Sequence, residues 1–431
     1  MRLLIKNGRV IDPSSRTDET LDILIEKGKI LALGPRIEGA GIPAIDASRL
    51  VVAPGFIDMH THVREPGQKE KEDIGTASRS AAKGGFASIC AMANTNPVND
   101  TRAVTEYIIA EARKRAIVSL LPIAAITKGL SGNELTDMAD LLAAGAVAFS
   151  DDGHGLQNSR IMRQALEIAK GLNALIIDHC EDDNLSRGGV MNEGPICARM
   201  GLRGIPAAAE DVMVSRDIIL AEAAGAKVHI AHLSTRGAVE LVRRAKERKV
   251  PVTAEVTPHH LVLTDAALEG RDPDLKVNPP LRDPKDTEAL QKAVGEGVID
   301  VFATDHAPHT PAQKALGFDQ APFGIAGLET AVSVLLDSLV RKRIIPLMRL
   351  IEMLSTRPAQ ILGLRGKGRI SPGADADLTI LNLHKEVEVD VGTFVSKSRN
   401  NPFHGWKLRG APQMTIVGGK VVFPFRSSPE R

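Results

Sequence analysis

Eight short apolar runs recur through the middle of the chain, at residues 56–62, 86–92, 117–123, 147–150, 174–179, 227–232, 251–256 and 299–305. Each is too short for a helix and has the length of a strand buried on both faces. Between most of them lie alanine-rich amphipathic segments such as TASRSAAKGG, SRIMRQALEIAKGL, AAEDVMVSRDIILAEAAGA and STRGAVELVRRAKERK. Several segments reach a glycine just before the next run, as a helix C-cap does. Strands that alternate with helices make parallel sheet, because parallel neighbours need a crossover connection. Eight such units predict an α/β chain folded as a (β/α)8 TIM barrel. The rival is an open doubly wound sheet. No G-x-G-x-x-G follows the first run, which counts against its dinucleotide-binding form.

The two ends have a different texture. LLIKNGRVI, DILIEKGKILALG and AIDASRLVVAPG at the start, and ADLTILNL and QMTIVGGKVVF at the end, read as short strands joined by glycine turns. They predict a small β-sandwich domain assembled from residues 1–53 and 365–431, flanking a barrel at 54–364. Two separate β caps are the alternative. A 431-residue chain exceeds the prior of about 150 residues per domain, as α/β barrels do.

Bulk properties exclude several functions. A net charge of +1 gives no basis for a nucleic-acid or membrane-surface partner. No apolar run approaches the roughly 18 residues a membrane span needs, and MRLLIKNGRVID lacks a signal-peptide core. Cys90, Cys180 and Cys197 form no CxxC, so neither a disulfide framework nor a cysteine zinc site is expected. A reducing cytoplasm fits.

In such a barrel, chemistry sits at the C-terminal ends of the strands. The first run ends in His60-Thr61-His62, whose imidazoles share one strand face. The fourth ends in Ser150-Asp151-Asp152-Gly153, the fifth in His179, the sixth in His232 and the eighth in Asp305. Singly, each histidine reads as an ordinary capping or core residue. Together they put imidazole and carboxylate donors at one barrel end, which suits zinc or a similar divalent ion. The set is too large for one catalytic zinc that keeps a water and sufficient for two bridged ions. Spacing leaves Asp151 and Asp152 open as the bridge. The chemistry expected is metal-assisted hydrolysis or its reverse.

Arg64 follows His62 by two residues and can face the same side, offering a fork of donors to a substrate carboxylate. The plain reading is a surface arginine in an REPG turn. Asn94, in MANTNP, is an amide donor or an ordinary turn residue, and His309 lies on the loop after the eighth run. Residues 309–320, HTPAQKALGFDQ, read as a mobile lid or a short helical turn. His154, His259, His260 and His306 read as structural.

HxH followed by a strand-end carboxylate, His, His and Asp, between two β-rich ends, resembles the amidohydrolase superfamily. HTHVREPGQKEKEDI, MANTNPV, FSDDG, DHCED, AEVTPHHL, KVNPPLR, ATDHAPH and APFGIAGLET together resemble the type I bacterial dihydroorotases along essentially the whole chain. The resemblance implies that His60, His62 and Asp305 bind one zinc ion and His179 and His232 a second, bridged by Asp152 and a hydroxide. FSDDG carries no lysine where many superfamily members bridge through a carboxylated one. Arg64, Asn94 and His309 would take the carboxylate of dihydroorotate, and Asn278 with the Phe323-Gly324 backbone the ring amides. Asp305 would be the catalytic base and then acid. The implied reaction is the reversible cyclisation of N-carbamoyl-L-aspartate to L-dihydroorotate plus water, in pyrimidine biosynthesis. A homo-oligomer and a complex with aspartate transcarbamoylase are further implications. An allantoinase or hydantoinase, or a catalytically silent scaffold paralogue, are the alternatives.

Overall fold

The computed structural model describes residues 2–425. Among these, eight parallel strands make the predicted ring: β1 (Phe56–Thr61), β2 (Phe86–Ala91), β3 (Ser119–Ala124), β4 (Ala148–Phe149), β5 (Ile176–Asp178), β6 (Val228–Ile230), β7 (Val252–Val256) and β8 (Val301–Phe302). They pair in chain order from β1 to β8. Every strand falls on one of the apolar runs. The helices Ile74–Gly84, Ser159–Leu172, Ala207–Ala224 and Arg236–Glu247 lie where the amphipathic segments predict them. Asn158 and Thr235 cap the starts of two of them through their side chains, satisfying backbone N–H groups that have no partner within the helix.

The ring closes between β1 and β8 with few ladder bonds. Thr61 bridges His306, and the His62 N–H donates to the His306 carbonyl at 2.9 Å. A side chain supplies the rest. Asp58 is fully buried and accepts from the Thr304 N–H at 3.1 Å, the Thr304 hydroxyl at 2.6 Å and the His60 N–H at 3.1 Å. Burial pushes its carboxyl up to about 6 despite these bonds. Asp58→Ala strands two buried N–H groups, at about 1–3 kcal/mol each. Denaturant unfolding is therefore expected to show a loss of about 3 kcal/mol. A change under about 0.5 kcal/mol, the size of an ordinary surface effect, would show that the seam holds without it.

Below the strand ends the barrel is filled rather than hollow. Met59, Cys90, Ile123, Ala148, Ile177 and Val301 form one cluster drawn from strands right round the ring, as interior layers require.

The chain ends meet in one mixed sheet. Its order is Lys420–Phe423, Lys407–Val417, Leu378–Glu388, Val51–Pro54, Arg2–Asp12, Thr17–Glu26 and Lys29–Gly34, with Ala44–Asp46 added alongside Arg2–Asp12. Val51–Pro54 is the junction, parallel to Arg2–Asp12 and antiparallel to Leu378–Glu388. The two halves share a core that includes Ile5, Ile23, Ile30, Leu378, Ile380 and Ile416. Gly55 connects this sheet directly to β1, and a Cβ there would lie 2.6 Å from Ala87 Cβ and 2.9 Å from Asp377 Cβ. Only glycine lets the two units approach so closely. Among the described residues, no helix is long and apolar enough to cross a membrane.

Candidate active site

Six side chains at the C-terminal ends of β1, β4, β5, β6 and β8 converge on one point. Asp152 is at their centre, with its carboxylate oxygens 3.3 Å from His60 Nε2, 3.4 Å from His62 Nε2, 3.6 Å from His232 Nε2 and 3.7 Å from His179 Nδ1. Asp305 Oδ1 lies 3.0 Å from His62 Nε2 and 3.6 Å from His60 Nε2. Two overlapping donor groups result: His60, His62 and Asp305, and His60, Asp152 and His232. His179 joins the second through its Nδ1, which faces His232 Nε2 at 2.9 Å. The two adjacent aspartates point in different directions. Asp151 turns away, accepting from the Ile126 and Thr127 N–H groups at 2.8 and 3.0 Å, and so fixes the loop after β3.

The donor set fits a metal. His60 Nε2 and Asp152 Oδ1 are enclosed, face each other, and have no hydrogen-bond partner among the described residues. Such orphaned buried atoms carry a full desolvation penalty unless something shares their lone pairs. Electrostatics agree. Burial alone would neutralise Asp152, but His60, His179 and His232 outweigh it and hold the carboxyl well below its usual range. Burial also pulls the histidines down, yet Asp152, Glu255 and Asp305 keep His60 well above its usual value, and Asp152 and Glu181 raise His179 to about 10. A cluster of imidazoles and carboxylates of this kind can exchange protons for a divalent cation. A third donor group, Asp178, Cys180 and Asp217, is already served by a cation, with Arg216 at 3.1 Å from Asp178 Oδ2 and 2.6 Å from Asp217 Oδ1.

Sequence reasoning missed the groups that aim these side chains. Glu255, on β7, accepts from His60 Nδ1 at 2.6 Å. Glu181 stands 2.9 Å from His179 Nε2 and also takes the Asn278 amide at 2.5 Å. Asn94, singled out in the sequence as an amide donor, also has an aiming role that the sequence did not show: its Oδ1 accepts from His62 Nδ1 at 2.9 Å. A signal was present for two of the missed acids: Asp58 lies two residues before His60 on the same strand face, and Glu181 two residues after His179, just past the end of β5. His260 spans Thr257 and the Pro279 carbonyl, a structural role.

The cluster opens into a cavity of about 300 Å³ lined also by Arg64, Asn94, Asn278, His309, Phe323 and Gly324. Arg64 is only 8% exposed, which excludes the surface-turn reading. Its Nε donates to the Pro308 carbonyl at 3.2 Å, and among the described residues no carboxylate lies within ion-pair distance. Burial pulls its guanidinium down to about 10, so it remains a cation at neutral pH. Asn278 Oδ1 and His309 Nδ1 are buried there without partners. His309 Nε2–H donates to the Phe323 carbonyl at 2.8 Å. Burial and the Arg64 charge lower the His309 imidazole to about 2, which keeps it neutral. The Gly324 N–H is committed to the Lys276 carbonyl at 2.9 Å and its carbonyl to the Asn400 amide at 2.8 Å. At φ +137, with a Cβ position 2.6 Å from Ala307 Cβ, residue 324 must be glycine for this wall to form.

Residues 309–320 contain the short helix Pro311–Lys314, started by a Thr310–Gln313 capping box. Lys314 Nζ donates to the Pro273 and Pro322 carbonyls at 2.7 and 2.9 Å, and Lys276 Nζ to the Asp319 carbonyl at 3.0 Å. The helical turn is thus what the segment adopts, tied to its neighbours by two lysines.

Comparison with known proteins places this geometry. A dihydro-orotase-like family model matches residues 48–238. The dihydroorotase of Pelotomaculum thermopropionicum is 50% identical over 426 residues, 99% of each chain. That of Citrifermentans bemidjiense is 50% identical over 424 residues, 98% of this chain and 100% of its own. Among solved structures, the L-hydantoinase (dihydropyrimidinase) of Arthrobacter aurescens superposes with a TM-score of 0.88 at 27% identity, covering 97% of this chain and 95% of its own.

Proposed function

The chain belongs to the dihydroorotase family, and from that premise we propose that it interconverts N-carbamoyl-L-aspartate and L-dihydroorotate plus water, using two zinc ions, in pyrimidine biosynthesis. One observation carries the choice of substrate. Arg64 is a buried cation that feels Asp305, Asp152 and Glu72 only from beyond ion-pair distance, has no carboxylate within that distance among the described residues, and lines the same cavity as the histidine–aspartate cluster. A substrate carboxylate supplies the missing charge. The hydantoinase likeness rests on 27% identity, against 50% for the dihydroorotases. A silent paralogue is disfavoured because all six candidate ligands are in place.

His60, His62 and Asp305 would hold one ion and His179 and His232 the other, with Asp152 between them. The donor group of His60, His62 and Asp305 supports the first assignment, and the approach of His179 Nδ1 to His232 Nε2 at 2.9 Å supports the second. Bound there, such ions would supply Lewis acidity, which lowers the pKa of a water and polarises an amide carbonyl. The remaining work falls to this chain's own groups. Arg64 and the Asn94 amide, whose oxygen is committed to His62, hold the substrate carboxylate beside His309. The orphaned Asn278 Oδ1 accepts a ring N–H. Asp305 stays ionised because His60 and His62 outweigh its burial. In the hydrolytic direction it accepts the proton of the attacking water and delivers it to the leaving ring nitrogen. Cyclisation runs these steps in reverse.

Metal analysis coupled to a carbamoyl-aspartate cyclisation assay tests the proposal. The expected result is about two zinc ions per chain and turnover that a chelator abolishes and zinc restores. Full metal content without turnover of carbamoyl-aspartate, but with turnover of hydantoin or allantoin, overturns it. Cytoplasmic location, homo-oligomerisation and docking to aspartate transcarbamoylase belong to the same proposal and rest on family resemblance. Gel filtration with and without that enzyme tests the last two.

A further inference from the structure

Beneath the candidate ligands lies a carboxylate that has no role in the reaction described above. Glu255, near the end of β7, is wholly buried, and its two oxygens are shared among three donors. Oε1 accepts from His60 Nδ1 at 2.6 Å and from the His232 N–H at 3.3 Å. Oε2 accepts from His229 Nε2 at 3.2 Å. His229 is itself held, because the Thr253 hydroxyl donates to its Nδ1 at 2.8 Å and the two residues pair across β6 and β7. His60 and His229 are both fully buried.

We propose that Glu255 is the positioning residue that joins the two halves of the metal centre, fixing the His60 ring on one side and the His232 backbone on the other. The reasoning is geometric and rests on the metal reading of the site. A neutral imidazole has one N–H and one lone pair, so a donor bond from His60 Nδ1 leaves the lone pair on Nε2. That nitrogen is the one facing Asp152 and Asp305. An imidazole whose other nitrogen donates to a carboxylate is held in tautomer and orientation and is a more basic ligand. The second contact acts on the chain rather than the ring. His232 has φ +29, a backbone conformation that histidine adopts rarely. Its N–H bond to Glu255 helps hold that conformation, which turns the His232 ring toward Asp152 and His179. One buried acid thus ties a ligand from β1 to a ligand from β6, with β7 as the brace.

Zinc affinity of the full chain, measured by competition with a chromophoric chelator, tests this without any substrate. In Glu255→Gln a single oxygen replaces two acceptors, and the added NH2 confronts a donor. The expected loss of affinity is about 10–100-fold, the usual size for removing such a partner. The visible spectrum of the cobalt-substituted variant should also shift. At saturating zinc, kcat should fall while KM for carbamoyl-aspartate stays within about twofold, since Glu255 is outside the cavity. His229→Gln, which leaves the His60 and His232 bonds intact, should retain wild-type affinity. Should Glu255→Gln fail to fold, Glu255→Asp serves: it keeps the charge and withdraws it by one methylene. Wild-type zinc affinity and an unchanged cobalt spectrum in either folded variant overturn the proposal. Wild-type protein that binds no zinc overturns the metal reading beneath it. Zinc binding without carbamoyl-aspartate turnover counts against the substrate assignment alone.

Discussion

Asp305→Asn is expected to lower kcat by about 10³-fold or more, within the range lost when a positioned acid–base group is removed, while much of the zinc stays bound. Asparagine keeps an oxygen where Asp305 Oδ1 now lies 3.0 Å from His62 Nε2. It cannot take up a proton. The carboxylate is suited to that task because it is ionised in place: burial would protonate it, but His60, His62 and His232 outweigh that effect. Steady-state kinetics on protein of verified metal content checks the point. A kcat within tenfold of wild type at full occupancy would remove Asp305 from the proton-transfer role.

Arg64→Met should reduce kcat/KM for carbamoyl-aspartate by about 10²–10³-fold, corresponding to the 2–5 kcal/mol typical of truncating one partner of a buried charge pair. The free enzyme should not suffer in the same way. Arg64 there is a cation drawn down to about 10 by burial, with one hydrogen bond to the Pro308 carbonyl. Methionine of similar length removes an unpaired buried charge, so the unfolding midpoint of the substrate-free variant should hold or rise. Loss of activity together with a lower midpoint would assign Arg64 a structural role.

The barrel was legible because its signals are local and repeated. Each strand is a compact apolar run, and the intervening segments carry helical periodicity and C-terminal glycines. The convergence of the candidate ligands was legible for a related reason. His60, His62, Asp152, His179, His232 and Asp305 all stand at the ends of such runs, where a barrel gathers its side chains. What escaped is set by contacts between distant residues. Glu255 sits between Ala254 and Val256 with nothing nearby in sequence to mark it; its partners are on β1 and β6. Asp58 and Glu181 lie two residues from predicted ligands, but their bonds to Thr304 and Asn278 join distant parts of the chain. Asp151 and Asp152 are adjacent, and only the backbone direction after β4 separates a loop anchor from the central carboxylate. The Thr310–Gln313 capping box was readable in the sequence and marks the start of the helical turn. The joining of the two chain ends was expected from their shared texture, but its register was not: Val51–Pro54 pairs with partners more than 300 residues away, such as Ala53 with Thr379.

The most direct test compares two rings that differ only in the group Arg64 is placed to meet. With the zinc-loaded wild-type chain, the ratio of kcat/KM for L-dihydroorotate to that for 5,6-dihydrouracil, which lacks the carboxylate, should be at least about 10², the discrimination expected when a buried charged donor loses its partner. Arg64→Met should bring the ratio toward one by lowering the first value. Equal or better use of dihydrouracil by the wild-type enzyme would contradict the account and place the chain with the hydantoinase-type amidohydrolases.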